Sequence, residues 1–144
     1  MADPAIPTSI KRQAVVEEAR SWLGTPFHDY AGVKGAGVDC AHFLLRVYVA
    51  VGLVEDFTPP PYPPQWFIHR DEPLFLNTVA KYAHQVEVPD VGDIVMLKFG
   101  RHAAHGAILV DERTSIHALI QSGRVTTDSL AQYSDRIHSY WSVF

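Results

Sequence analysis

The 144-residue chain carries a single cysteine, Cys40, and eight histidines; thiol–imidazole chemistry is the catalytic combination its residue types suggest. Cys40 follows Gly35-Ala36-Gly37-Val38-Asp39 and precedes Ala41-His42-Phe43. From there Ala41, Leu44, Leu45, Tyr48 and Val51 recur with helical period, and Phe43 and Val47 widen the stripe. Such a pattern predicts a helix buried along one side. Asp39 is then its N-cap, and Cys40 lies in the first turn. A thiol in that position sits beside unpaired backbone N–H groups at the positive end of the helix dipole, which favours thiolate and predicts a low-pKa nucleophile. Residue type alone also fits a small core side chain, the common fate of a free cysteine. The partners of the thiol decide between the two.

A nucleophilic thiol needs a base to take its proton and return it to the leaving group, and the base needs a third group to hold its ring. His105 stands just before the apolar run Gly106-Ala107-Ile108-Leu109-Val110, at the start of a predicted strand. His117 lies in the next one, Ser115-Ile116-His117-Ala118-Leu119, beyond the turn Asp111-Glu112-Arg113-Thr114. Side chains alternate across a strand, so the two rings share a face if the hairpin loop has odd length. The sequence permits that loop, and it equally permits two unlinked polar histidines. His102, three residues before His105, invites a metal reading. On a strand, however, an odd separation sends the rings to opposite faces, and no cysteine pair or carboxylate stands at ligand spacing. No metal and no cofactor is therefore expected, and there is no phosphate-loop or dinucleotide fingerprint. His28, His42, His69, His84 and His138 show no evident partner, although His42 lies close to Cys40 in sequence.

These residues must be positioned by one domain. With 144 residues and 47% hydrophobic content, residues 1–144 are expected to form a single domain around one core, with 1–9 as an N-terminal arm. The net charge is −4 and Lys and Arg are scattered singly, which argues against direct nucleic-acid binding. One cysteine cannot form an intrachain disulfide. The start Met1-Ala2-Asp3-Pro4-Ala5-Ile6-Pro7 lacks the basic and apolar regions of a signal peptide, and no apolar run reaches membrane-spanning length. Synthesis in the cytoplasm without membrane insertion is expected, with delivery by something else if the protein acts outside.

Ser9 is expected to cap a helix over 10–23 that ends at Gly24, and 28–38 to form a glycine-containing loop before the cysteine helix, which stops near Gly52. The run Thr58-Pro59-Pro60-Pro61-Tyr62-Pro63-Pro64 excludes helix and central strand and predicts an extended surface connection. Asp71-Glu72-Pro73 then opens a helix burying Leu74, Leu76, Val79, Ala80 and Ala83, with Asn77 and Lys81 facing water. After Gly92 the texture turns to short β-favouring segments at 93–99, 104–110, 115–120, 124–128 and 137–144. Helices first and an antiparallel sheet after is an α+β order.

With Cys40, His105 and His117 in this order, the chain resembles the NlpC-type cell-wall peptidases, a papain-like group of cysteine enzymes. The resemblance rests on Gly24-Thr25-Pro26, Asp39-Cys40, the Pro-x-x-Gly-Asp-Ile pattern of 89–94, His105-Gly106-Ala107-Ile108 and Ile116-His117-Ala118, and it spans residues 10–144. Tyr62-Pro63-Pro64-Gln65-Trp66, His69-Arg70-Asp71-Glu72, Phe99-Gly100-Arg101 and the terminal Tyr140-Trp141-Ser142-Val143-Phe144 are similar to a subgroup encoded among phage-tail and gene-transfer-agent genes.

The resemblance implies a papain-like α+β fold, with Cys40 as nucleophile, His105 as general base and acid, and His117 as the group that orients His105. It implies hydrolysis of the peptidoglycan stem peptide beside a D-glutamyl or diamino-acid residue. It also implies tail-tip or hub proteins of a phage-like particle as partners, with the enzyme carried in the tail and acting in the cell wall or periplasm. A structural tail-hub role with a vestigial peptidase fold, or a thiol acyltransferase or amidase activity, are the alternatives. Two departures bear on the substrate groove. Phe27 stands where much of the family has tyrosine, leaving Tyr30 to supply any hydroxyl, and His42 stands where the wider family keeps a small residue.

Overall fold

The computed structural model describes residues 6–59, 74–99 and 102–144. Helix α1 (Thr8–Arg20) buries Val15, Val16 and Ala19, and Trp22 continues the apolar face beyond its last turn. It starts and ends earlier than the expected 10–23. Pro7, extended at ψ 145° and with no side-chain cap, occupies the N-cap, and its carbonyl accepts from the amides of Ile10 and Lys11. Ser9 therefore falls inside the first turn. Gly24, at φ +86°, then turns the chain.

The segment after Gly24 is held by the sheet, because the amides of Gly24 and Phe27 donate to the carbonyls of Val125 and Gly123. The expected loop over 28–38 contains a small antiparallel hairpin, β1 (Gly32–Val33) and β2 (Gly37–Val38). It hands the chain to α2 (Cys40–Val51), which is capped by Asp39 and ends at Gly52, φ +82°. Phe43, Leu44, Leu45, Val47 and Tyr48 are buried along it, as the period predicts. Helix α3 (Leu74–Tyr82) buries Phe75 and partly buries Leu76 and Val79, while Asn77, Lys81 and Ala80 are exposed. Ala80, expected inside, is exposed. The expected start of this helix at 71–73 and most of the proline connection lie outside the described residues.

Six strands form one antiparallel sheet: β3 (His84–Val86), β4 (Ile94–Phe99), β5 (His102–Leu109), β6 (Thr114–Leu119), β7 (Arg124–Ser129) and β8 (Ile137–Ser142). Their spatial order is β3-β8-β4-β5-β6-β7. Short 3₁₀ turns at Ile120–Ser122 and Leu130–Tyr133 flank β7. The β3 strand was not expected, and its pairing with β8 joins it to the sheet edge. On one face Ile94, Met96, Ile108, Ile116 and Ala118 pack with the helices in the main core. On the other, Val95, Leu97 and Leu109 gather Leu130, Tyr133, Ile137 and Tyr140. The alternation is that of a sheet covered on both sides.

Helix α2 approaches β5 closely at Gly106. A Cβ built there would come within 2.8 Å of Leu44 Cδ1 and 3.3 Å of the Phe75 ring. Gly106→Val is therefore expected to destabilise the fold by about 1–3 kcal/mol through overpacking between helix and sheet, measured as a lower midpoint in urea unfolding.

Candidate active site

Cys40 is the first residue of α2 and is half-buried. Its cap is a small polar cluster. Buried Asp39 receives the His42 amide and His42 Nδ1 on Oδ1, both at 2.8 Å, and the Tyr30 amide on Oδ2 at 2.7 Å. The Tyr30 ring lies edge-on to His42, 4.8 Å between centroids, and its hydroxyl donates to the Pro59 carbonyl. His42 thus has a partner that the sequence reading did not assign, and Tyr30 spends its hydroxyl on the backbone. Because Asp39 takes the amide of His42 through its side chain and that of Phe43 through its carbonyl, the N–H groups of Cys40 and Ala41 are the first-turn donors not used within the helix.

The thiol is not the low-pKa group expected from its place on the helix. Burial pushes it up well above the ordinary cysteine range, and the negative charge of Asp39 adds to this. The backbone N–H groups of Ala41 and Cys40 pull the other way and are outweighed. At this helix start desolvation and the capping carboxylate, both of which penalise a thiolate, oppose the helix-end amides and win.

His105 and His117 meet. Strands β5 and β6 pair Ile108 with Ile116 and Leu109 with Ser115, closing a three-residue loop at 111–113. This odd loop gives positions 105 and 117 the same parity. Nε2 of His105 lies 2.8 Å from Nδ1 of His117. A β-bulge sits beside His105, since β4 pairs Leu97 with His105 but Lys98 with Ala103. Bulges re-aim side chains in this way near sites. The Phe99 ring stacks on His105 at 5.0 Å.

His117 is fully buried, and its Nε2 lies 2.7 Å from Oδ2 of Asp128. The Tyr133 hydroxyl donates to the same oxygen at 3.3 Å. Among the described residues no hydrogen bond joins Cys40 Sγ to His105. Thiol–imidazole contacts in unliganded sites are often long and tighten with substrate. Elsewhere, His28 meets the Asp29 carbonyl and His138 the Ser139 hydroxyl, while His84 lies on the edge strand β3. No cluster of metal-ligating side chains occurs among the described residues.

Burial holds His105 well below the ordinary imidazole value, and a charge on His117 would push it the same way. Burial also lowers His117, against the raising effect of Asp128. Both rings are therefore neutral at pH 7. In the unfolded chain they take up protons below about pH 6.5, so the unfolded state binds more protons there and stability falls as pH drops. Cys40 acts at the other end. Its thiol ionises in the unfolded chain above about pH 8.5 but not in the folded one, so stability falls as pH rises past that value. Thermal melts across this range are expected to show a plateau between the two limits. Cys40→Ala should flatten the alkaline side relative to wild type, and His105→Gln the acid side.

A cysteine opening a helix that packs on an antiparallel sheet, with a buried histidine pair on its central strands, defines a class of α+β domain. The sequence model of the NlpC/P60 family matches residues 24–142, and the chain belongs to that family. Among solved structures it is similar to the NlpC/p60 domain of the peptidoglycan hydrolase SagA, at 20% identity and a TM-score of 0.62, over 91% of this chain and 97% of that one. It is also similar to the peptidoglycan hydrolase RipB from Mycobacterium tuberculosis, at 17% identity and a TM-score of 0.64, over 100% of this chain and 73% of that one. NlpC2 from Trichomonas vaginalis aligns at 14% identity and a TM-score of 0.68, over 99% of this chain and 50% of that one. At these identities the likeness is one of fold. No curated protein sequence gives a significant match.

Asp128 and Tyr133 were missed by the sequence reading, which ended a strand at 128 and assigned neither residue a part. The available signal was register. His117 pairs with Thr126 and Ser115 with Asp128, so Asp128 stands diagonally across from His117 on the same face, where side chains can reach each other.

Proposed function

We propose that the protein is a cysteine peptidase that hydrolyses peptide bonds of the peptidoglycan stem peptide, with Cys40 as nucleophile, His105 as general base and acid, and His117 as the residue that orients His105. The observation that carries this reading is the buried 2.8 Å His105–His117 pair in an NlpC/P60 chain whose one cysteine begins α2. Both side chains start neutral, so the reaction begins with proton transfer. Cys40 Sγ attacks the scissile carbonyl as its proton passes to His105, and the N–H groups of Cys40 and Ala41 receive the developing oxyanion. Collapse breaks the C–N bond, the amine leaves with the proton from His105, and a thioester remains. Water, giving a proton to His105, cleaves the thioester; the acid departs and the proton returns to sulfur.

Mass spectrometry of muropeptides digested by the pure protein tests the activity. New free amine and carboxyl termini within the stem peptide are expected, and an unchanged muropeptide profile would overturn the reading. The finer proposal is that the enzyme travels in a phage or gene-transfer-agent tail and opens the wall for DNA delivery. It rests on the subgroup motifs, several of which lie outside the described residues. Particles assembled without the chain should adsorb but fail to deliver DNA through an intact wall. If such particles deliver normally, the tail role is wrong.

A further inference from the structure

The scheme above makes no use of the 2.7 Å approach of partly buried Asp128 to buried His117. We infer that Asp128 is a positioning residue that fixes which nitrogen of each histidine carries the proton, and so makes Nδ1 of His105 the base. This rests on the peptidase reading, and it follows from what each atom in the row can do.

A carboxylate oxygen only accepts, so Nε2 of His117 must carry a hydrogen. The His117 ring is fully buried and neutral, which leaves its Nδ1 as a lone pair. Only a donor can sit 2.8 Å from that lone pair, and the group there is Nε2 of His105. His105 is also neutral and has spent its hydrogen on Nε2, so Nδ1 is its one free lone pair. Without the carboxylate the order is not fixed. A neutral His117 protonated on Nδ1 would donate to Nε2 of His105, move the His105 hydrogen to Nδ1, and abolish the base with no change in heavy-atom geometry.

The surroundings hold Asp128 to this role. It projects from β7 diagonally opposite His117, and the Tyr133 hydroxyl donates to the same oxygen. The Tyr133 ring packs edge-on against His117 at 5.6 Å. Among the described residues, the ionisable groups in contact with His117 are His105 from β5, Asp128 from β7 and Tyr133 from the 3₁₀ turn. The Arg136 guanidinium lies over the Phe99 ring, 5.3 Å from its centroid, and its charge reaches Tyr133.

The test reads tautomers directly, by long-range ¹⁵N–¹H correlation NMR of the uniformly labelled protein at neutral pH. Both His105 and His117 are expected to be Nε2–H in the wild type. Asp128→Leu should shift His117 toward Nδ1–H. It should also lower kcat by about 10- to 100-fold with KM nearly unchanged, less than when a carboxylate touches the base directly. Asp128→Glu should restore the tautomers and most of kcat, and Tyr133→Phe should leave the tautomers as they are. If Asp128→Leu does not fold, Asp128→Ala takes its place, and the wild-type spectrum needs no variant. An Nδ1–H tautomer on either ring of the wild type would overturn the inference, as would unchanged tautomers without the carboxylate. Since the spectrum is recorded without substrate, the expected tautomers in a protein that cleaves no muropeptide would remove the peptidase reading and leave the assignment standing.

Discussion

Cys40→Ala is expected to reduce kcat/KM on stem-peptide substrates by about 10⁴-fold or more, since no other side chain in the scheme can form the thioester and only binding and amide donors at the helix start remain. The variant should fold. The residue is half-buried, and removing a thiol disfavoured as an anion leaves no unpaired charge. The more discriminating version of the experiment is alkylation. Burial and Asp39 both raise the thiol, so iodoacetamide at pH 7 should modify Cys40 in the folded protein more slowly than in the unfolded chain, and the rate should climb only well above the ordinary cysteine range. Asp39→Asn removes the larger of the two carboxylate charges that raise the thiol, Asp39 and Asp29, and should speed alkylation, while its amide oxygen still caps the helix. A Cys40 that alkylates rapidly at pH 6 would mean that it rests as a thiolate, and the neutral-pair chemistry would be wrong. Retention of stem-peptide cleavage by Cys40→Ala would remove the nucleophile assignment altogether.

That outcome bears on what a sequence can disclose about such a site. The cysteine helix was legible from start to finish because its signals are local: an apolar period, an aspartate cap and a glycine stop, all inside fourteen residues, 39–52. The meeting of His105 and His117 was legible as a parity condition, and the three-residue loop at 111–113 satisfies it. The thiol's ionisation was not. The helix end supplies a local field that sequence reveals, whereas burial is set by what the whole fold packs around the sulfur, and here burial outweighs the field. The His42–Asp39 pair stands at the i,i+3 spacing of helix neighbours and is a local signal as well, masked by the capping role that the same carboxylate fills. Asp128 belongs to a third kind. Its identity means little until β7 is laid beside β6 in register, and that register is set by the 3₁₀ turn and the left-handed Gly123 that join Leu119 to Arg124. The short strands β1, β2 and β3 were invisible for a related reason, since two or three residues carry no period and their pairing comes from the partner.

His105→Ala is expected to cost about 10³-fold or more in kcat, somewhat less than loss of the nucleophile, because water or a buffer base can still accept the thiol proton slowly. The ring is nearly fully buried, stacked on Phe99 and hydrogen-bonded to His117, so truncation opens a cavity beside the sheet and leaves Nδ1 of His117 without its donor. A melting curve must therefore accompany the assay, and His105→Gln, which fills more of the space and keeps an N–H for His117, serves as the second variant. Chemical rescue separates catalysis from packing. Imidazole diffusing into the cavity of a folded His105→Ala protein should raise kcat with a pH dependence following the neutral form of the added base, whereas a purely structural defect would not respond. His117→Ala should cost less, about 10- to 100-fold. The double variant should then be little worse than His105→Ala alone, since a residue that acts by holding the base has nothing left to hold once the base is gone. Strictly additive losses would instead assign His117 a task of its own, and the row from Asp128 through His117 to His105 would not work as one unit.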